Sequence, residues 1–156
     1  MSAMTDIMEN KLIDWFFRAQ AIGITGASAA AGTGPTTLYV ALFTATPSDT
    51  GGGTEVSGGS YARVAVTSAL TAWAGTQAAA STVASSGTSG TTSNNAAITF
   101  PSPTANWGSI TSIGIFDATS GGNLLIWGAL TTGKTVNNGD AAPSFAISAL
   151  TFQIDN

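Results

Sequence analysis

Ile110 to Leu130 reads I-T-S-I-G-I-F-D-A-T-S-G-G-N-L-L-I-W-G-A-L, and this stretch decides the fold. Two runs rich in Ile, Leu, Phe and Trp, Ile110–Phe116 and Leu124–Leu130, favour a pleated, packed surface. Between them lies Asp-Ala-Thr-Ser-Gly-Gly. Asp117 can bond its own backbone there, and Gly121 and Gly122 can take positive φ. The pattern predicts a β-hairpin with a five- or six-residue loop. A lone hairpin is marginal in water, so the rest of the chain must supply strands to cover it.

Upstream, L-Y-V-A-L-F-T at 38–44 predicts a strand near a sheet centre, ended by Pro47 and Asp49. A glycine-punctuated loop follows through Gly59. It lacks the Gly-Lys-Ser/Thr ending of a phosphate loop, and reads as tight turns or as a binding loop at the rim. Residues 61–70 alternate, with Val64 and Val66 on the better core face. Arg63 in that strand reads as solvated or subunit-pairing, and its fork can reach Asp49 or Glu55. Ala96–Phe100 predicts a short strand stopped by Pro101 and Pro103. Downstream, Asn138-Gly139 is the strongest hairpin punctuator in the chain. The last run, Phe145–Ile154, changes phase near Ala149-Leu150, which implies a β-bulge or a passage from one sheet to another. Six to eight strands with Gly/Pro-rich connections predict a mainly β chain, an antiparallel β-sandwich (jelly-roll-like or an open barrel) with one N-terminal α-helix.

That helix begins after Thr5, with Asp6 and Glu9 in its first turn. Met8, Leu12, Trp15, Phe16 and Ala19 fall on one face, and Asp14 and Arg18 can pair at i,i+4 for about 0.2–0.5 kcal/mol. Ile13 and Phe17 broaden the apolar surface, so the helix packs either on its own domain or on a neighbouring subunit. The chain thus divides into an N-terminal helix and attachment segment at 1–26, a flexible linker at 27–37 and a β domain at 38–156. Met8, Leu12, Trp15, Phe16 and Phe17 are the candidate subunit contacts. Residues 78–95 are Ala, Ser, Thr, Gly, Val and Asn without charge. They read as an extended loop or irregular edge strand, and as a second contact that is easily ordered against another chain.

The chemistry available is narrow. With no Cys and no His, disulfides, His-ligated zinc and a Ser-His-Asp triad are excluded. Four basic residues against eight acidic ones, a net charge of -4, argue against nucleic acid. No apolar run reaches the length of a membrane-spanning helix, and no signal peptide is evident. The acids Asp6, Glu9, Asp14, Asp49, Glu55, Asp117, Asp140 and Asp155 show no spacing that predicts a catalytic pair or a calcium loop. No catalytic, metal or cofactor site is expected. Trp73 and Trp107 form a candidate ligand platform for a sugar if their rings face solvent, whereas Trp127 belongs to the core or an interface. Charged residues are 8 % of the chain, against about 25 % in an average soluble domain, which leaves a surface that is easily desolvated on assembly.

Several stretches resemble a family of small tailed-bacteriophage and prophage proteins, often described as tail or tail-fibre proteins. They are L-Y-V-A-L-F-T at 38–44 with Pro47, G-G-G-T-E-V-S-G-G-S-Y-A-R at 51–63, I-T-F-P at 98–101, W-G at 107–108 and G-I-F-D-A-T-S-G-G-N-L-L-I-W-G-A-L at 114–130. The resemblance implies a non-enzymatic virion component, in tail, neck or fibre or as capsid decoration, assembled in the bacterial cytoplasm. Its expected partners are further copies of itself, a trimer suiting a fibre, and other virion proteins. The alternative is an adhesin module that binds a host glycan.

Overall fold

The structure is a computed structural model that describes residues 4–23 and 34–154. Most of the expected linker, and Asp155, lie outside the described residues. The elements are α1 (Asp6–Arg18), β1 (Thr37–Ala45), β2 (Thr54–Glu55), β3 (Val64–Thr67), β4 (Thr91–Ser93), β5 (Ile98–Thr99), β6 (Gly108–Phe116), β7 (Leu124–Val136), β8 (Ser144–Phe145) and β9 (Thr151–Gln153). The chain is mainly β, with antiparallel sheets and one N-terminal helix. β2, β1, β6 and β7 lie in that order in one sheet, with β3 also on β1; β4 pairs with β9 and β5 with β8. Two compact units share the chain, one of residues 1–37, 67–98 and 145–156, the other of 38–66 and 99–144. No helix among the described residues is long and apolar enough to cross a membrane.

The second unit carries the expected hairpin. β1 and β6 pair antiparallel with Val40 opposite Ile115 and Leu42 opposite Ile113. These four side chains share one face by strand alternation, and all are buried. The opposite face holds Tyr39, Ala41, Phe43 and Phe116, with Leu124 packed against them and the Phe43 and Phe116 rings stacked 6.1 Å apart. Gly114 must be bare on that face, because a Cβ would stand 2.8 Å from Phe43 Cε2 and 2.7 Å from Leu124 Cδ1. β1 is therefore buried on both sides, as its weak alternation predicts. β7 extends past Leu130 to Val136, but its register with β6 jumps. Ser112 faces Ala129 and Ile110 faces Lys134, so residues 130–133 bulge out of the ladder.

In the first unit, α1 starts after Thr5, whose carbonyl accepts Met8 and Glu9 N–H, although its hydroxyl makes no capping bond. Ala19 takes the left-handed conformation at φ 53° and stops the helix at Arg18. The buried stripe is Glu9, Ile13, Asp14, Phe17 and Arg18, one position on from the expected face; Met8, Leu12, Trp15, Phe16 and Ala19 are each half-buried. Phe17 meets Trp73 at 5.0 Å and Phe152 at 5.2 Å between ring centroids, an aromatic trio from three distant parts of the chain.

The C-terminal phase change resolves as a passage between ladders. β8 and β9 are separate strands, and Ser148 between them has φ 61°. Fully buried Asn94 holds that turn. Its amide donates to Ala96 and Ala146 carbonyls at 2.7 and 2.8 Å, and its oxygen accepts Leu150 N–H at 2.9 Å. The Asn138-Gly139 turn forms, with Asn137 N–H on Asp140 Oδ2, but β7 does not continue into a hairpin there: β8 pairs with β5 instead.

Candidate functional site

Two arginine-centred networks and two surface concavities hold the polar groups from which a site could be built. The first network lies in the second unit. Arg63, beside β3, presents its fork to Glu55 on β2, Nε to Oε1 at 2.8 Å and Nη2 to Oε2 at 2.7 Å. Of the two acids within its expected reach, Glu55 is the partner. Its remaining donor, Nη1, reaches the carbonyls of Ala118 and Gly121, both at 2.8 Å. The guanidinium carbon sits 3.4 Å from the centre of the Phe116 ring, a cation–π stack. Tyr61 donates to Glu55 Oε1 at 3.0 Å and accepts Leu42 N–H at 2.9 Å. Burial, followed by the Glu55 charge and hydrogen bond, pushes the Tyr61 phenol well above its ordinary range. The Glu55 hydrogen bond likewise raises Arg63.

The hairpin loop that Arg63 grips is closed from within. Asp117 accepts Asn123 N–H and Asn123 Nδ2, each at 2.7 Å, and these bonds hold its carboxyl below the usual carboxylate range. Gly122 has φ 69°, and a Cβ there would collide with the Asp117 carboxylate and Ala118. This loop and the one at 49–52 line a concavity of about 440 Å³ with Asp49, Thr50, Gly51, Gly52, Phe116, Gly122, Asn123 and Leu124. Asp49 is the one ionisable lining group, so the concavity can offer neutral hydrogen-bonding partners and a single acceptor charge, but no acid–base pair.

The second network is in the first unit. Arg18 is fully buried and pairs with Asp14 at 2.5 Å. It also donates to the carbonyls of Trp73 at 3.1 Å and Val83 at 2.5 Å. Asp14 in turn accepts Ser85 N–H at 2.9 Å and its hydroxyl at 2.6 Å. Asn10 donates to Gly87 O at 3.0 Å and accepts the Thr76 hydroxyl. The expected i,i+4 pair is thus a buried hub that fastens residues 81–87 to the helix. The helix, expected either on its own domain or on a neighbouring subunit, and the charge-free segment, expected as a loop or second contact, bind each other within this chain. A second concavity of about 440 Å³ lies here, lined by Ala, Gly, Ser, Thr and Gln77. Its Thr76, Ser89, Thr91 and Thr92 hydroxyls already serve backbone partners.

The remaining candidates fall as follows. Phe17 is buried in its own unit, beside the half-buried Met8, Leu12, Trp15 and Phe16. Trp73 is 0 % exposed and Trp107 5 %, with Trp107 Nε1 donating to Gly59 O at 2.9 Å, so neither ring faces solvent as a platform. Trp127 is the exposed one, at 36 %. Expected in the core or at an interface, its ring is thus not part of the core of the described chain. Asn94, Ser85 and Asn10 carried no signal in the sequence: Asn94 is held by backbone groups, and the Asp14, Arg18 and Thr76 side chains that meet Ser85 and Asn10 are far away along the chain. Residues 3–153 match the family described as podophage GP4 fiber I protein gp80. No curated protein matches the chain.

Proposed function

The chain belongs to the podophage GP4 fiber I protein gp80 family, which makes it a phage virion protein, and from that premise we propose that it is a non-enzymatic structural subunit of the phage fibre, held in place by protein–protein contacts. The observation that carries this reading is where the polar chemistry goes. Both arginines and the acids Asp14, Glu55, Asp117 and Asp140 are committed to fastening loops and turns of their own chain. Burial of the central strand β1 on both faces supports the β-sandwich architecture for such a subunit. Buried Trp73 and Trp107 weigh against an adhesin built on those rings. Any host glycan would instead meet the Asp49–Asn123 concavity.

A map of the native particle with mass spectrometry of gradient-purified virions tests the proposal. Many copies in a projecting fibre are expected, and absence from purified particles overturns it. On a glycan array the protein is expected to give no reproducible signal. Micromolar binding abolished by Asp49→Ala would replace the structural reading with the adhesin one.

A further inference from the structure

Asn138-Gly139 is the one place in the chain where asparagine precedes glycine. Asparagine is a thermolabile residue, and a following glycine has no side chain to hinder attack by its nitrogen. All four residues of the turn, 137–140, are exposed to water. The fold nevertheless holds the reacting groups apart. Asp140 N–H donates to Asn137 O at 3.2 Å, and of the two central residues only Gly139 has positive φ, at 80°, which makes a type II turn. In that turn ψ at Asn138 is about +120°, which rotates its Cβ roughly 120° away from the Gly139 nitrogen. Ring closure between them needs the two nearly eclipsed. The nitrogen is also engaged, its N–H donating to Pro103 O at 3.0 Å. Asn138 N–H donates to Asn106 Oδ1 at 2.8 Å, so both central amides of the turn are pinned to one neighbouring segment.

We infer that Asn138 is a latched modification site, which deamidates when the turn lets go of Pro103 and Asn106. In the open turn the Gly139 nitrogen attacks the Asn138 side-chain carbonyl carbon. Its proton passes through water to the leaving amide nitrogen, ammonia departs, and a five-membered succinimide closes. Water then opens the ring at either carbonyl and leaves aspartate or isoaspartate, with no oxidant, reductant or enzyme required. Aspartate adds one negative charge beside Asp140 in a chain already at -4. Isoaspartate lengthens the main chain by one carbon, so Gly139 N–H and Pro103 O lose their register. The same neighbouring segment leads to buried Trp107, whose N–H donates to Val136 O at 3.0 Å. A modified turn therefore loosens the junction between the end of β7 and the approach to β6.

The test ages the full chain in mildly alkaline buffer and follows the amide-to-acid mass gain by peptide mapping. A synthetic peptide of residues 134–143 supplies the unlatched rate. Asn138 should be the first asparagine to react, at least about tenfold more slowly in the folded chain than in the peptide. Exchange of the Gly139 amide must pass through the same opening, so in the natural protein it should be slowed by a factor within about threefold of that one. Asn106→Ala removes one of the two pins from an exposed position, and should speed deamidation of the folded chain by about threefold or more with circular dichroism unchanged. Equal rates in chain and peptide, an unprotected Gly139 amide, a first reaction at another asparagine, or a folded Asn106→Ala chain that deamidates no faster each overturns the latch. The exchange measurement uses the natural chain, so it decides the matter even where Asn106→Ala does not fold.

Discussion

Arg18 and Arg63 do similar work in the two units by different means. Each binds a carboxylate and two or more backbone carbonyls, and each stitches a glycine- or serine-rich loop to a regular element. Arg63 does so beside a sheet whose β1 and β6 already bury Val40, Leu42, Ile113 and Ile115. Arg18 serves a unit whose ladder has three residues per strand and whose segment at 78–95 carries Val83 as its only large apolar side chain, 64 % exposed. Where apolar burial is plentiful, the arginine secures a loop. Where it is scarce, the arginine is part of the core.

The largest expected effect is at Arg18. Arg18→Met leaves the Asp14 carboxylate buried and unpaired, which costs about 3–5 kcal/mol. Urea titration should show early loss of helix signal at 222 nm, and Asp14→Leu in the same chain should restore part of the loss. A surface-like cost below about 1 kcal/mol would break the contrast between the two networks. Arg63→Ala should cost less, about 1–3 kcal/mol. Hydrogen exchange should quicken at residues 118–122 while β1 and β6 stay protected. Arg63→Lys should not restore the loop, since an ammonium cannot reproduce the fork.

Smaller effects come from pH. The Tyr61 phenol is raised above its ordinary value of 10.0, so its contribution is complete below pH 10 and is lost as pH rises beyond it. Alkaline melting should therefore fall above pH 10, and Tyr61→Phe should flatten that fall while lowering stability at neutral pH. Asp117 is shifted the other way. Its contribution is present above its ordinary value of 3.8 and fades as pH drops below it. The readout is faster exchange of the Asn123 amide in acid, with little change in global melting.

The sheet was legible where apolar patterning is strong. L-Y-V-A-L-F-T and the hairpin stand where expected, Glu55 was within the fork's expected reach, and the phase change at Ala149-Leu150 marks a real switch of ladder. The first unit was not legible in the same way. Its helix buries Asp14 and Arg18 because a carbonyl, an N–H and a hydroxyl of the serine-rich loop receive them, and a backbone group has no residue signature. The apolar stripe with the largest side chains was therefore the wrong guide to the buried face. Trp73 and Trp107 were equally unreadable: an isolated tryptophan in a loop carries no periodicity to say whether it faces inward.

The aromatic trio has a consequence for how the protein is made. Phe17 emerges from the ribosome first of the three, Trp73 follows, and Phe152 comes last. The segments at 38–66 and 99–144 belong to the other unit and are translated in between. That unit ends at Ser144, so it can close while the helix still waits for its last ring. Contacts this far apart in sequence form slowly and leave apolar surface open to wrong partners meanwhile. Nascent chains stalled before Phe152 should accordingly be bound by holdase chaperones through the helix, and released once β9 has cleared the exit tunnel.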